Sequence, residues 1–442
     1  MKNKQKIGYF GLACLILAGL IFVKTEIAVI ALGIMLLILL YSWEAKYFLF
    51  ALLFLRAITD WFSQNNIVNQ WQISYNYSIL VGVIALAFSV LTILQNYKKT
   101  KTNRLLIPYL IFLTITALSL LASVNISASF TEIVRLVTIF SLAITASLLI
   151  TNKQELLQLS AVMIFSAIIP TAVAYYQYAT NTGLFVPFEG VSNRLLGTLA
   201  HPNLFAYFLI IPISLAVYFL IYQEKIFTTE RKNKLFKIFI FIFLIISLPP
   251  FILSYTRGAW LALIITLFFV SIKRYKKFTF VILAVLIIPF FFLKPVQNRI
   301  ENALSDNNSI SWRLEYWQTG FKIAQNNLLL GNGPATAEKV MADKYATESG
   351  AEIAIHNDYL KILLDSGLLG LLAYLFLIVY LLYDLTKIYL NSKNKSSQTI
   401  LLTALGLSLA IFTASFYDNI IRNTPLMWFY WVLVGVIVQN SD

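Results

Sequence analysis

The chain has 442 residues, of which 59% are hydrophobic and 12% are charged, and it carries a formal net charge of +14. A soluble protein has about 25% charged residues, so this composition excludes an ordinary soluble domain. The single cysteine, Cys14, excludes a disulfide framework and a thiolate metal cage.

Apolar runs of roughly 18 or more residues recur from one end of the sequence to the other, which is the length that a membrane-spanning helix requires. They predict an all-α, polytopic integral membrane protein with about 12–14 transmembrane helices. The second and third runs are short and could form one tight hairpin. The predicted spans are 7–23, 27–43, 46–62, 78–95, 105–123, 130–150, 156–179, 203–222, 236–254, 259–272, 278–293, 360–383, 399–416 and 425–438.

These spans divide the chain into three parts. Residues 1–293 form an N-terminal bundle of about eleven spans, residues 294–359 a large loop, and residues 360–442 the C-terminal spans. The first run follows three lysines but lacks a small-residue cleavage site, so we expect a retained span and not a signal peptide. A loop as long as 294–359 is seldom structureless. Within it, Ser309–Asn326 has the pattern of a short amphipathic helix at the lipid interface, followed by a turn at Gly331–Pro334.

Basic residues are distributed unevenly between alternate loops. One set of loops, which includes both termini, holds most of the 34 Lys and Arg residues. Because cytoplasmic loops are enriched in Lys and Arg, we expect both termini in the cytoplasm and the large loop outside. The basic character therefore reports membrane orientation and gives no reason to expect nucleic-acid binding.

Arginines gather in the segments predicted to lie outside or in the outward halves of spans. Charge inside a membrane is costly and marks a functional site by default. The alternative is that single arginines extend to lipid phosphates. Because a guanidinium binds diphosphate with a planar fork of donors, the set predicts a pocket for an anionic lipid head group. Its members are Arg56, Arg135, Arg194, Arg257, Arg299, Arg313 and Arg422.

Two predicted helix interruptions agree with such a pocket. Pro249 and Pro250 stand near the outer end of the ninth span, where we expect them to break the helix. His201, Pro202 and Asn203 open the eighth span, with proline near the first helical turn. Broken helix ends at membrane depth are tolerated where they line a cavity, and their free N–H groups attract anions.

Four sequence elements follow one another between about residues 190 and 375. They are Arg194-x-x-Gly197-Thr198-x-x-His201-Pro202-Asn203, Ser254-x-x-Arg257-Gly258-Ala259, Ser311-x-Arg313-x-x-x-Trp317-x-x-Gly320 with Leu330-Gly331-x-Gly333, and His356-Asn357-x-Tyr359-Leu360 with Gly367 and Gly370. In this order, with a large loop between the third and the fourth, they resemble the O-antigen ligase and polymerase superfamily of bacterial polysaccharide assembly. The fourth element is the most specific.

The resemblance implies a GT-C-like glycosyltransferase in the bacterial inner or plasma membrane. Such enzymes take an undecaprenyl-diphosphate-linked glycan at the outer face of the membrane and transfer it to a hydroxyl of a glycan, lipid or protein. Ligases act on the lipid A–core of lipopolysaccharide, and polymerases act on another lipid-linked repeat unit. The expected partners are this donor, the acceptor, the bilayer and other polysaccharide-assembly proteins, with no cofactor.

Glycosyl transfer assigns roles to particular residues. The acceptor hydroxyl must lose its proton as it attacks, and a neutral imidazole suits that task, so we expect His356 to be the general base. Arg194 and Arg257 are the first choices for the departing diphosphate, with Arg313, Arg422 and Arg135 in reserve. One direct displacement would invert the anomeric configuration. The candidate supporting residues are His201, Asn203, Asn357, Tyr359 and Arg56.

Structural roles remain open for several of these residues. His356 could be a helix N-cap-region residue bonded to backbone, and His201 could only shape its turn. Asn203 could be a helix cap. Tyr359 could pack at the interface or align the acceptor. Gly367 and Gly370 are expected to allow close helix packing.

Metal chemistry and nucleotide chemistry have no sequence motif here. There is no Asp-x-Asp and no His/Cys cluster at ligand spacing, and Asp60, Asp358 and Asp418 are scattered. No P-loop or dinucleotide fingerprint is present. We therefore expect a metal-independent reaction in which arginines take the place of a cation.

Two other classes of protein compete with an enzyme. A polysaccharide or anion transporter, or a flippase, also has many spans, interrupted helices and intramembrane arginines. Such carriers place charge near the midplane and have internal repeats, whereas the polar groups here lie towards one face. A scaffold subunit of an export complex is the third reading, and it leaves the arginines and His356 without a role.

Overall fold

A computed structural model describes residues 44–60, 77–186, 191–222, 224–273, 309–343 and 354–440. Within them the chain is almost entirely helical. The α-helices are α1 (Ala45–Thr59), α2 (Tyr77–Gln95), α3 (Tyr97–Thr100), α4 (Leu106–Leu118), α5 (Ile126–Leu149), α6 (Lys153–Ser166), α7 (Ile168–Thr180), α8 (Pro202–Tyr222), α9 (Glu230–Leu253), α10 (Arg257–Ser271), α11 (Ser309–Ala324), α12 (Ala337–Ala342), α13 (Asp358–Asn391), α14 (Lys395–Ala414) and α15 (Thr424–Asn440). Short 3-10 turns follow α4 (Ser119–Ala122) and α11 (Gln325–Asn327).

The described residues contain seven helical stretches that are long and apolar enough to cross a membrane. These are Ser78–Gln95, Ile126–Leu149, Lys153–Thr180, Pro202–Tyr222, Glu230–Leu253, Asp358–Asn391 and Ser397–Ala414. Three shorter apolar helical stretches accompany them at 106–122, 257–271 and 424–440. The prediction of an all-α polytopic membrane protein is thereby confirmed, and the likeness to GT-C enzymes stays a prediction. The predicted spans at 7–23, 27–43 and 278–293 lie outside the described residues.

One small sheet departs from the all-helical prediction. Strands β1 (Leu184–Val186) and β2 (Val191–Arg194) pair antiparallel between α7 and α8, with Leu184 opposite Arg194. The register is irregular, because Val186 is opposite Val191. No element is predicted between the spans at 156–179 and 203–222, because strands of three and four residues are too short for an alternating pattern to be read. It delivers Arg194 to the start of the turn that leads into α8.

The predicted break at Pro249 and Pro250 is wrong, because α9 continues through both prolines to Leu253. Proline removes the hydrogen bond to the carbonyl four residues earlier, which for Pro250 is that of Ile246. The hydroxyl of Tyr175 on α7 donates to this carbonyl at 2.9 Å. A side chain from a neighbouring helix therefore replaces the lost backbone donor, as membrane helices that contain proline require.

A real interruption lies in α13 at Gly367, whose φ of 67° and ψ of −170° are not helical. The loop before α12 packs against this point, since Leu368 N–H donates to the carbonyl of Leu328 at 2.7 Å. A Cβ on Gly367 would lie 2.2 Å from the carbonyl oxygen of Leu329. Gly367 thus permits a close approach as expected, but by breaking α13 into 358–366 and 368–391, and not by packing two continuous helices.

The last helix, α15, lies at the centre of the bundle. Every residue from Pro425 to Val438 is buried. Its neighbours include α5 and α8, and aromatic rings fill the contacts, with Phe208 and Phe429 5.1 Å apart and Phe140 and Trp431 5.3 Å apart. Because other helices pack around α15 on several sides, the C-terminal end of the loop that precedes it is held in place.

The two ends of the bundle differ in composition. Helices α5, α8, α10, α13 and α15 begin at one end, which is called here the site end. Contacts such as that of Asp358 N–H with the carbonyl of Ser415 join the segments there. The other end gathers basic loops, with ion pairs of Arg104 to Asp384 and Lys153 to Glu224. The uneven charge of the sequence therefore separates along the axis of the bundle.

Candidate functional site

A nine-residue loop between α14 and α15 organises the site end. This segment, 415–423, is called here the dyad loop, because it carries Asp418 and Asn419, both of which contact His356. Oδ1 of Asp418 lies 3.1 Å from Nδ1 of His356. Oδ1 of Asn419 accepts the backbone N–H of His356 at 3.0 Å. Two neighbouring side chains of one loop therefore fix both the backbone and the ring of the histidine.

The backbone at His356 adopts a conformation that few side chains tolerate. Its φ is 53°, in the left-handed region where non-glycine residues are uncommon. The next residue, Asn357, caps α13 by accepting the N–H of Leu360 at 3.0 Å. The left-handed turn followed by a cap directs the imidazole away from the axis of α13 and towards Asp418.

Asp418 is held as a carboxylate. Burial opposes its ionisation, but hydrogen bonding and charge from His356, the N–H of Asn419 and the charge of Arg313 outweigh burial and hold the pKa of Asp418 below its usual range. An ionised carboxylate can only accept hydrogen bonds. The neutral imidazole must therefore carry its proton on Nδ1, which leaves the lone pair on Nε2.

The chain of hydrogen bonds continues beyond Asp418 to Arg194. Nδ2 of Asn203 donates to Oδ2 of Asp418 at 2.7 Å, and its Oδ1 accepts from Nη2 of Arg194 at 2.7 Å. Nε of Arg194 donates to the carbonyl of Ser254 at 2.9 Å. Nη2 of Arg194 also approaches Oγ1 of Thr256 at 3.3 Å. The buried Arg194 thus joins β2, α8 and the turn before α10 to the hydrogen-bonded pair of His356 and Asp418.

Two further arginines surround the same loop. Nη1 of Arg313, on α11, donates to the carbonyl of Tyr417 at 3.0 Å. Arg257 is the first residue of α10, directly after Thr256, a contact of Arg194. The next residue, Gly258, is closely covered, because a Cβ there would lie 2.3 Å from Oη of Tyr207 and 2.4 Å from the ring of Tyr417.

Three other predicted arginines are paired with carboxylates. Arg135 binds Glu132 with both Nε and Nη2, and Arg422 donates to Glu338 at 3.0 Å. Arg56 pairs with Asp60. Arg299 lies outside the described residues.

The supporting residues take mostly structural positions. Nδ1 of His201 accepts the N–H of Asn203 at 3.1 Å, which closes the turn before α8. Oη of Tyr359 donates to the carbonyl of Phe412 at 2.8 Å, and its ring lies 4.3 Å from that of Phe416. Asn203 differs from the others, since its side chain bridges Arg194 and Asp418 and caps no helix.

Sequence reasoning missed Asp418, which it treated as one of several scattered carboxylates. Asp418 and His356 are 62 residues apart, so only the fold brings them together. One signal was available in the sequence. The polar stretch Asp418-Asn419 interrupts apolar residues between two spans, on the same predicted side of the membrane as His356.

The arrangement combines a proton acceptor with anion-binding groups at one end of a helical bundle. Nε2 of His356 can accept a proton, and Arg194, Arg257 and Arg313 lie around the dyad loop. Several helix N-termini add partial positive charge at the same end. Chemically, the arrangement offers a group that can accept a proton next to side chains that can bind an anion.

Residues 239–375 match the protein family described as O-antigen ligase. The matched segment contains Arg257, Arg313 and His356 and ends in α13, and it confirms the resemblance to the O-antigen ligase and polymerase superfamily. The match supports membrane glycan transfer of the ligase or polymerase type and does not favour a transporter. Arg194, Asn203 and Asp418 lie outside the matched segment. The chain has no significant match among curated proteins.

Proposed function

We propose that the protein is a glycosyltransferase of the bacterial inner or plasma membrane that moves an undecaprenyl-diphosphate-linked glycan onto an acceptor hydroxyl on the extracytoplasmic side. The transfer is metal-independent and inverts the anomeric carbon. The observation that carries the proposal is the contact of Asp418 with Nδ1 of His356, because it leaves Nε2 as a base at the end of the bundle where the arginines gather. The uneven distribution of basic loops supports the orientation.

The reaction is one displacement. The acceptor oxygen forms a bond to the anomeric carbon while the bond from that carbon to the diphosphate oxygen breaks. The acceptor proton moves to Nε2 of His356, and the electron pair of the broken bond leaves with undecaprenyl diphosphate. Asp418 stabilises the imidazolium that forms, as an orienting carboxylate does in other base–acid pairs. A positioned general base contributes about 10²–10⁴-fold in rate.

Arginine side chains receive the charge that develops on the diphosphate. Arg257 and Arg313 are the principal candidates because both lie beside the dyad loop. Arg257 precedes Gly258, which packs against the ring of Tyr417, and Arg313 donates to the carbonyl of Tyr417. Arg194 is buried and contacts Ser254, Asn203 and Thr256. Its role is therefore to hold Asn203, which in turn bonds Asp418. Positive groups already in place stabilise the transition state without further reorganisation.

A transporter is the alternative from a different class. A carrier needs its charged site near the membrane midplane, open in turn to each side. In the described part of the chain, the network that includes His356, Asp418 and Arg194 lies where helices begin at one end of the bundle. That position favours chemistry at one membrane face.

Envelope polysaccharide from a deletion strain tests the function. Loss of chains longer than one repeat unit indicates a polymerase, and long chains that stay on the lipid carrier indicate a ligase. Plasmid-borne wild-type protein should restore the product and His356→Ala should not, although both reach the membrane in equal amounts. Restoration by His356→Ala, or normal polysaccharide in the deletion strain, contradicts the proposal.

Orientation has a separate test in a Cys14→Ser background. Lys339→Cys, on α12, should react with an impermeant thiol reagent in intact cells, or in spheroplasts where an outer membrane is present. Lys234→Cys, at the basic end of α9, is the matched control and should react only after the membrane is permeabilised. The reverse labelling pattern would place the site on the cytoplasmic side and contradict the proposal that the donor is used outside.

A further inference from the structure

The dyad loop is held from behind by a cluster of charged side chains that the proposed chemistry does not use. This anchor cluster contains three cations and four carboxylates: Arg135, Lys361, Arg422, Glu132, Glu338, Asp358 and Asp365. Its members come from α5, α12, α13 and the dyad loop itself. It therefore connects four separate segments of the chain.

Two members grip the backbone of the dyad loop directly. Oδ2 of Asp358 accepts the N–H groups of Ile420 and Ile421 at 2.9 and 3.0 Å. Nη1 of Arg135 donates to the carbonyl of Ile421 at 2.9 Å. These contacts lie two and three residues beyond Asp418. The N–H and the carbonyl of Ile421 are both fixed, so the loop cannot shift without losing one of them.

The other members hold the grip in place. Nζ of Lys361 donates to Glu338 at 2.7 Å and pairs with Asp365 at 3.0 Å. Asp365 accepts the N–H groups of Thr336 and Ala337, which begin α12. Glu338 also receives Arg422 from the dyad loop. A continuous path of ion pairs and hydrogen bonds thus runs from α13 through Glu338 on α12 to Arg422 in the dyad loop.

Stability alone gives a weak reason for such a cluster. Asp358, Lys361 and Asp365 are all buried, with 0%, 6% and 6% of their surfaces exposed. Buried ion pairs are often no more stabilising than apolar side chains of the same size, because each ion loses its hydration. A set of directional contacts does, however, specify one position of the segment that it binds.

We propose that the anchor cluster positions Asp418 and, through it, sets the tautomer and orientation of His356. Arg135 is then a positioning residue that acts through the carbonyl of Ile421, and it is not a ligand of the diphosphate. The inference rests on the proposed function for its kinetic consequence. Its structural claim, that Arg135 controls the protonated nitrogen of His356, does not depend on which reaction the protein performs.

Kinetics distinguish positioning from diphosphate binding. Arg135→Gln should lower kcat by about 10- to 100-fold, the scale of a small misplacement at a reacting group, and change the KM for the lipid-linked donor little. Arg135→Lys keeps one donor for Ile421 and should recover part of kcat. A raised KM for the donor with kcat retained would show that Arg135 binds the diphosphate. Wild-type kinetics for Arg135→Gln would equally overturn the inference.

A control variant shows whether the loss of any ion pair in the bundle has the same effect. Arg104→Gln removes the ion pair with Asp384 at the opposite end of the bundle and should keep wild-type kcat and KM.

Nitrogen-15 NMR of histidine tests the structural claim without any substrate. The chain has only two histidines, so His356→Gln assigns the signal of His356. In full-length wild-type protein in nanodiscs we expect the neutral ring protonated on Nδ1, and in Arg135→Gln a mixture of tautomers. An unchanged tautomer in Arg135→Gln overturns the inference even if His356 proves to be the base.

A single variant at Arg135 leaves Glu132 without its partner and could prevent insertion. The double variant Glu132→Gln with Arg135→Gln removes both charges and leaves a polar amide at each position. It should show the same lower kcat and the same mixed tautomers. A double variant with wild-type kinetics and tautomer would overturn the inference.

Discussion

Asn203 lies between Arg194 and Asp418 and bonds each of them at 2.7 Å, as an acceptor from the arginine and a donor to the carboxylate. The amide of an asparagine can accept a hydrogen bond with its oxygen and donate one with its nitrogen at the same time. The bond passes from α8 to the dyad loop, whose residues are more than two hundred positions away in the sequence. Asn203 therefore links Arg194 to the pair of Asp418 and His356 through one side chain.

Replacing Asn203 by Asp should therefore disable the site. The new carboxylate cannot donate to Asp418, and it places a second negative charge beside it. We expect kcat for glycan transfer to fall by at least about tenfold, with the protein still present in the membrane. The control is Asn152→Asp, which retains an acceptor for the N–H of Glu155 at the start of α6 and should leave activity unchanged. Equal activities of the two variants would show that the bridge has no function.

Replacing Asp418 by Asn should reduce kcat by far more than it changes KM. An amide can present an N–H to the imidazole and so select the wrong tautomer of His356. Loss of the orienting carboxylate in a serine protease triad costs on the order of 10⁴ in kcat, which sets the scale for the expected decrease. Steady-state kinetics with a lipid-linked donor measure it. A variant with more than half of the wild-type kcat would contradict the role given to Asp418.

The same variant should also change how stability depends on pH. The pKa of Asp418 in the folded protein is held below its usual range, so the unfolded chain, with a pKa near 3.9, binds the proton more readily. The contribution of Asp418 is fully present above the unfolded pKa and is lost as pH falls through the lower folded pKa. Thermal unfolding followed by tryptophan fluorescence should show that wild type and Asp418→Asn differ most above about pH 5 and converge in acid. A difference that grows in acid would contradict this assignment.

Gly258 should not tolerate a methyl group. A Cβ would lie 2.3 Å from Oη of Tyr207 and 2.4 Å from the ring of Tyr417, so α10 or the dyad loop must move. We expect Gly258→Ala to lose activity and Tyr207→Phe to restore part of it in the double variant, because removal of the hydroxyl relieves one of the two contacts. Gly82→Ala is the control, since nothing lies within 4 Å of its Cβ position. An active Gly258→Ala would show that the site accommodates the shift.

Tyr175 should stabilise α9 through the carbonyl that Pro250 leaves unpaired. Tyr175→Phe removes the hydroxyl that donates to Ile246 and should lower the free energy of unfolding by about 1–3 kcal/mol, the cost of an unsatisfied polar group away from water. Tyr176→Phe, one residue further on and largely exposed, is the matched control. Thermal unfolding in detergent measures both. Equal midpoints for the two variants would mean that lipid or detergent contacts compensate for the lost donor.

Periodicity and composition predicted the helices well, because a bilayer forces each span to be long, apolar and internally hydrogen-bonded. Every predicted span within the described residues coincides with helix, and the amphipathic segment at Ser309 is also helical. The error at Pro249 and Pro250 has a physical cause. Whether a proline breaks a helix depends on a donor from a neighbour, and Tyr175 belongs to a different helix.

The site was predictable in its residue types and less so in its connections. Arg194 and His356 stood out because polar side chains are rare in this sequence. The sequence does not show which arginines contact the dyad loop near Asp418 and which belong to the anchor cluster. That depends on which side of the loop each helix packs against, and only the fold determines it. Arg135 and Arg313 look alike in sequence, but one is paired with a carboxylate behind the loop and the other donates to the carbonyl of Tyr417.

The break at Gly367 has a consequence for the height of the reaction. The nine residues of α13 before it are mostly buried in protein and rise by roughly 13 Å, whereas Leu369 and Leu372 beyond it present apolar surface outward. His356 therefore lies one buried helical segment away from the exposed apolar surface of α13 that includes Leu369 and Leu372. Under the proposed function, a polymer of many sugars could pass sideways across the enzyme in water, while the polyprenyl tail of its carrier stays immersed in the leaflet below.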